Sequence, residues 1–392
     1  MESLGASIVD FGFVFRINGA NFKQNPRYTQ IIAQKQFDSF QSNQFVALAA
    51  SSFAFFMNLT RLQRILDRAS SKRIMVIGDL MLDEFVWGKV GRISPEAPVP
   101  VVEVERESFH AGGAANVARN LREFTKGVAV MGSIGTDARG RQLQDLLARK
   151  KIDISNCVID SAYRTTVKTR IIAQHQQVVR VDREKVTSLS AKALKKAVLS
   201  VRDQLPRIDA IIFEDYGKGF LSTELVGQIS RDALSAKKIV TADPNPGHLI
   251  DWSKITAATP NRSEAFLAAG VSWCRSAKSP KKDVDLARVG KALLKKWGMK
   301  YLLMTLGEDG MLLFQRGRKP HHIPTKARQV FDVSGAGDTA IALFTLGLAC
   351  EATPIEAAEI ANHGSAVVVS KLGTATVTRD ELIASFKDDL SS

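Results

Sequence analysis

Six short apolar runs, each closing on small and polar or acidic residues, limit what this chain can fold into. They are Arg73-Ile-Met-Val-Ile-Gly-Asp79, Val128-Ala-Val-Met-Gly-Ser-Ile-Gly135, Ala210-Ile-Ile-Phe-Glu-Asp215, Ile239-Val-Thr-Ala-Asp243, Ile255-Thr-Ala-Ala-Thr-Pro-Asn261 and Tyr301-Leu-Leu-Met-Thr-Leu-Gly307. Between them lie stretches patterned as helices, such as 139–150, 223–236 and 286–296. A strand apolar on both faces has to be covered on both, and strands that alternate with helices pair in parallel. The pattern therefore predicts an α/β fold with a parallel sheet between helices. Ligands of such sheets bind beyond the carboxyl ends of the strands, where the polar residues fall here. Two segments break the alternation. Residues 85–107 carry Val86, Val90, Val99, Val101, Val102 and Val104 around a proline-rich middle, and residues 165–182 read as two β-rich stretches. Both predict antiparallel strands beside the main sheet, acting as a lid; plain edge strands would look the same.

The first 56 residues stand apart. They hold ten of the 20 phenylalanines in a Gln-, Asn- and Ser-rich context with no clear period. Their most apolar run, 45–56, is 12 residues long, against the roughly 20 that a membrane-crossing helix needs. It also starts too far along the chain for a secretory leader. Residues 1–56 are expected to be a non-native or disordered extension, with Met57 the better start and 57–392 one domain; a docking arm is the alternative. Residues 58–71 predict an amphipathic helix with Leu59, Leu62, Ile65, Leu66 and Ala69 on one face. Cys157, Cys274 and Cys350 form no CxxC pair, which argues against a disulfide scaffold and a cysteine-rich zinc site and makes the cytoplasm the expected location. The net charge of +14 is spread along the chain without a recognition motif or an aromatic-interleaved basic stripe. It fits phosphorylated small-molecule ligands better than nucleic acid, and no membrane partner is expected.

The sharpest local signal is Asp332-Val-Ser-Gly335-Ala336-Gly337-Asp338-Thr, leading into an apolar stretch. Glycines just before a helix let backbone N–H groups point at an anion, and the helix N-terminus favours negative charge there. Asp338, in the same turn, can take a proton from a hydroxyl that attacks a bound phosphate. Phosphoryl transfer needs positioning and charge neutralisation more than a strong base. A plain helix cap is the bland alternative. A dinucleotide fingerprint would belong to an early βαβ unit rather than here, and no GxxxxGK[ST] occurs anywhere.

Together with His110-Ala-Gly112-Gly113-Ala-Ala-Asn116-Val-Ala, this turn resembles the two signatures of the ribokinase-type (PfkB) sugar kinases. The resemblance runs from about residue 73 to 386, with Asp243-Pro-Asn, Thr259-Pro-Asn261-Arg262-Ser263-Glu264 and Thr305-Leu-Gly307-Glu-Asp-Gly310 in family order. It implies a ribokinase-like three-layer α/β/α sandwich with a central, mainly parallel sheet and a small β lid. Within the family the chain is similar to bacterial heptose-7-phosphate kinases. That similarity rests on Gly78-Asp79-Leu-Met-Leu-Asp83, Arg92-Ile-Ser-Pro-Glu-Ala-Pro-Val-Pro-Val-Val102 and Lys371-Leu-Gly-Thr-Ala-Thr-Val377, the lid sequence being the most discriminating. Some species fuse that kinase to a nucleotidyltransferase. The sequence ends at Ser392 without an HxGH motif, so the stand-alone form is expected.

The resemblance implies Asp338 as catalytic base and Gly335, Ala336 and Gly337 as the anion hole. It implies ATP at Asn261, Arg262, Ser263, Glu264, Thr305, Gly307, Gly310 and Asn362, with Glu264 acting on Mg²⁺ through water. Asp79, Asp83, Gly112, Gly113 and Asn116 would hold sugar hydroxyls, and Asp332 with the 371–373 turn would hold a monovalent cation such as K⁺. Capping alternatives remain for Asp79, Asp83, Asn261 and Glu264, and a capping box at Asn261 is compatible with a phosphate role. Lys168 and Arg170 alternate onto one face of a strand, with Arg180 on a second, a suitable seat for the sugar's own phosphate; solvated edge-strand charge is the alternative. The implied activity is ATP-dependent phosphorylation of the anomeric hydroxyl of D-glycero-D-manno-heptose 7-phosphate. Another sugar kinase of the same fold and an inactive binding relative are the alternatives. A homodimer through the lid is expected, since exposed β edges invite pairing.

Overall fold

The structure, a computed structural model, describes residues 57–174, 176–273 and 279–390; the expectations for residues 1–56 and for Cys274 lie outside them. Asn58 opens the first helix, Leu59–Ala69, by accepting a hydrogen bond from the Arg61 N–H at 2.8 Å. Leu62, Ile65, Leu66 and Ala69 are buried, as their spacing predicts.

The strands follow in order: β1 Arg73–Gly78, β2 Leu80–Ile93, β3 Pro100–Gly113, β4 Gly127–Met131, β5 Ser133–Gly135, β6 Val158–Asp160, β7 Thr166–Ala173, β8 Gln176–Arg183, β9 Ala210–Glu214, β10 Ile239–Asp243, β11 Ala257–Ala258, β12 Tyr301–Thr305, β13 Met311–Gln315 and β14 His321–Ile323. The main sheet has the order β14-β13-β12-β11-β10-β9-β1-β4. It is parallel from β4 to β12, with β13 and β14 as an antiparallel edge. Side chains alternate across a strand. Ile74 and Val76 of β1 join one buried apolar cluster while Met75 and Ile77 join another, so the sheet is the middle of three layers. The 128–135 run is cut at Gly132, where a Cβ would lie 2.5 Å from the Gly78 carbonyl oxygen. The 255–261 run yields only the two residues of β11.

The lid is a separate four-stranded sheet, β3-β2-β7-β8. Its first hairpin is longer than the expected 85–107, running from Leu80 to Gly113. Only Asp79 separates β1 from β2, so the lid grows directly out of a central strand. The expectation of an all-antiparallel flap is corrected by β2 and β7, which pair in parallel. The Gly135 N–H, at the end of β5, donates to Thr165 Oγ1 at 3.0 Å, and β7 starts beside β2, with Thr166 opposite Met81, and runs with it. Adjacent Asp83 and Glu84 face opposite sides. Glu84 meets Arg139 of the core helix Ala138–Arg149, Thr169 and Arg183 on one face of the lid, and Asp83 meets Arg170 on the other. No helix among the described residues is long and apolar enough to cross a membrane.

Candidate active site

The helix Ala336–Ala349 is buried on nearly every side, and Gly335 caps its N-terminus at φ 81°. A Cβ at Gly335 would lie 2.9 Å from Asn116 Nδ2, so both backbone conformation and space demand glycine there. Asp338, in the helix's first turn, accepts hydrogen bonds from Asn116 Nδ2 at 2.6 Å and from the Tyr216 hydroxyl at 2.9 Å. Burial pushes the Asp338 carboxyl up to about 6, against the downward pull of those two donors. A carboxyl near that value can accept a proton in neutral solution and release it again. Arg119 Nη1 holds Asn116 Oδ1 at 3.2 Å, fixing the amide's orientation.

The expected sugar residues gather around this point in different ways. Asp79 Oδ2 accepts from the Tyr216 and Lys218 N–H groups at 3.0 and 2.9 Å, and Oδ1 from Phe220 at 3.2 Å. Its carboxylate thus braces the turn after β9 that carries Tyr216, rather than capping a turn of its own after β1. Asp83 Oδ1 accepts from Arg170 Nη1 at 2.5 Å. Gly112 and Gly113 allow close approach: a Cβ on the first would sit 2.3 Å from Asp83 Oδ2, and on the second 2.5 Å from the Asp79 carbonyl. On the neighbouring strand β7, the Arg170 guanidinium lies 5.2 Å from the centre of the Phe85 ring, its register partner on β2. Lys168 Nζ is 4.0 Å from Asp182 and 6.0 Å from the Tyr216 ring centre, and burial lowers its pKa. Arg180 is occupied by Asp182 at 2.9 Å. Lys168 and Arg170 are partly buried and paired, whereas Arg180 is paired but exposed.

A groove of about 960 Å³ lies on the other side of Asp338. Asn261, Arg262, Ser263, Thr305, Gly307, Gly310 and Asn362 all line it, as do Ala336 and Gly337 of the anion turn. Glu264 does not. It closes a capping box on the helix Arg262–Ala268, accepting the Asn261 N–H at 2.8 Å while Asn261 Oδ1 accepts the Glu264 N–H at 3.0 Å. Behind it, Glu214 and Asp243 end the neighbouring strands β9 and β10. Burial drives both carboxyls well above their ordinary values, followed by repulsion from Asp243 at Glu214 and from Glu264 at Asp243, and burial raises Glu264 as well. Glu214 Oε2 is buried without a hydrogen-bond partner. Such an all-oxygen set with an orphaned oxygen fits a hard divalent cation that keeps much of its water and takes substrate phosphates as further ligands. Among the described residues no three His, Cys, Asp or Glu side chains are grouped so as to hold a metal ion. Asp332 accepts from the Ser334 and Gly373 N–H groups at 2.9 and 3.1 Å, joining the two segments implied for a monovalent cation, while Lys371 Nζ turns to Thr376 and Glu381.

Tyr216, Glu214 and Asp243 were not among the expected site residues. The available signal was position: each lies at or just past the carboxyl end of an apolar run, on the edge where ligands bind.

The pfkB family carbohydrate kinase model matches residues 71–381. The chain is 40% identical over 319 residues to the bifunctional protein HldE of Desulfatibacillum aliphaticivorans, covering 81% of this chain and 64% of that protein. With HldE of Helicobacter hepaticus it shares 41% over 316 residues, covering 80% and 64%. The chain thus spans about two thirds or less of these relatives' lengths. Among solved structures, Arabidopsis thaliana ribokinase complexed with ribose and ATP superposes with a TM-score of 0.60 at 19% identity, over 81% of this chain and 99% of that one. Escherichia coli phosphofructokinase-2 in complex with potassium gives 0.66 at 16%, over 82% and 100%. At such identities these two show the fold, which is ribokinase-like. The family match carries the rest: this chain belongs to the pfkB family and is an ATP-dependent carbohydrate kinase.

Proposed function

We propose that this kinase transfers the γ-phosphoryl group of ATP to the anomeric hydroxyl of D-glycero-D-manno-heptose 7-phosphate, giving the 1,7-bisphosphate for surface-glycan precursors in the cytoplasm. The observation that carries the reading is the position of Asp338. It is held by Asn116 and Tyr216 in the same helical turn as Ala336 and Gly337, which line the groove, and Lys168 of the lid lies 6.0 Å from the Tyr216 ring centre. The heptose itself rests on the similarity of the Arg92–Val102 lid sequence to heptose-7-phosphate kinases.

In this mechanism Asp338 takes the proton of the sugar hydroxyl as its oxygen bonds to the γ-phosphorus and ADP departs. The N–H groups of the 335–337 turn, with the positive end of the helix behind them, face the charge on the transferring oxygens. Glu264, with Asp243 and Glu214 behind it, would hold Mg²⁺ through water, and the ion's chemistry would be neutralisation of phosphate charge. K⁺ would sit at Asp332 and the 371–373 turn. Lys168 and Arg170 would bind the 7-phosphate, and two lids would pair in a homodimer.

A coupled assay of the full chain with heptose 7-phosphate, fructose, ribose and fructose 6-phosphate tests the proposal. Turnover with the heptose phosphate is expected, and Asp338→Asn should lose about 10²- to 10⁴-fold in kcat. Turnover with another sugar and none with the heptose would replace the substrate and keep the family. Lys168→Ala should raise KM for the phosphorylated sugar by about tenfold or more and leave KM for ATP unchanged.

A further inference from the structure

The turn between β9 and the helix Thr223–Ser235 is held more firmly than a connection requires. Asp79 accepts three of its N–H groups. Asp215 accepts the Gly217 N–H and His248 Nδ1, both at 2.9 Å. Gly217 and Gly219 have φ of +67° and +99°, and a Cβ on Gly219 would lie 2.7 Å from the Thr187 carbonyl oxygen. The side chain that this turn delivers to the base is Tyr216, whose hydroxyl donates to Asp338 Oδ1 at 2.9 Å. Asn116 holds the other oxygen. Each carboxylate oxygen carries two lone pairs, so two fixed donors, one per oxygen, leave one lone pair on each and define the carboxylate plane.

We propose that Tyr216 is a positioning residue for phosphoryl transfer, setting the plane of the Asp338 carboxylate toward the acceptor hydroxyl while its ring walls the base off from the lid cation Lys168. The inference rests on Asp338 being the base. A phenol suits the task because its ring has few torsions to freeze and its hydroxyl donates to a single carboxylate oxygen. The lid's part is independent: Lys168 Nζ sits 6.0 Å from the same ring, so one residue touches the seats of both ends of a phosphorylated sugar.

Tyr216→Phe keeps the ring and removes only the hydroxyl. In the full chain it should lower kcat by about ten- to a hundredfold, the worth of a hydrogen bond to a charged group. Both KM values should stay within about twofold and the Tm near that of the parent. Tyr216→Leu, which also removes the ring face, should in addition raise KM for the phosphorylated sugar. An unchanged kcat in Tyr216→Phe beside an inactive Asp338→Asn overturns the positioning role and leaves the base assignment standing. An active Asp338→Asn overturns the base assignment itself. A kcat loss in Tyr216→Phe accompanied by a lowered Tm and a comparable rise in both KM values would make Tyr216 merely structural and overturn the inference.

Discussion

As the proposed base, Asp338 must be ionised to take a proton, and its burial sets the pH at which that happens. With the carboxyl pushed up to about 6 from an ordinary 3.8, the protonated, inactive form accumulates as pH falls through 6. The expected result is a kcat/KM for the sugar that drops about tenfold per pH unit below that point. A pH–rate profile at saturating ATP checks it, and an acid limb breaking near 4 would contradict it. The glycine turn with its carboxylate was legible in the sequence because the glycines and Asp338 are neighbours in the chain. Tyr216 was not, since its partner lies 122 residues away. Asp79 marks another limit. A strand-end carboxylate is readable as lying on the ligand edge, but whether it faces ligand or, as here, three backbone amides of the next turn depends on how that turn folds.

Elements carry their own consequences. Gly335→Ala would force an alanine to φ 81° and push its methyl to within 2.9 Å of the Asn116 amide. It should cost about 1–2 kcal/mol of stability by urea unfolding and lower kcat by dislodging the hydrogen bond from Asn116 to Asp338. The alternation of strand and helix was readable from residue 73 onward because fully buried strands leave continuous apolar runs. Pairing was not, since the parallel register of β2 and β7 joins residues far apart in the chain, Met81 opposite Thr166. The 255–261 run overstated its strand. Pro260 cannot donate to a ladder, and the two alanines of β11 suffice to fill the slot between β10 and β12.

For the whole molecule, the lid edge is the open question of assembly. β8 is exposed along its length, with Val178, Val179 and Val181 at 39, 46 and 40% exposure on an edge without a partner strand among the described residues. Such an edge is stable in water only when covered or defended by charge. Sedimentation velocity should find a dimer for the parent chain and a monomer for the double variant Val179→Lys, Val181→Lys; a monomeric parent at micromolar concentration would end the lid-pairing proposal. The helix Ala336–Ala349 bears on a different property. It is buried on almost every face between β9, β10 and the helix Pro354–Val369, so its amides can open only when the central layers do. Native-state hydrogen exchange should therefore find Asp338, the proposed base, inside the slowest-exchanging unit of the protein, while the lid strands β7 and β8 exchange orders of magnitude faster.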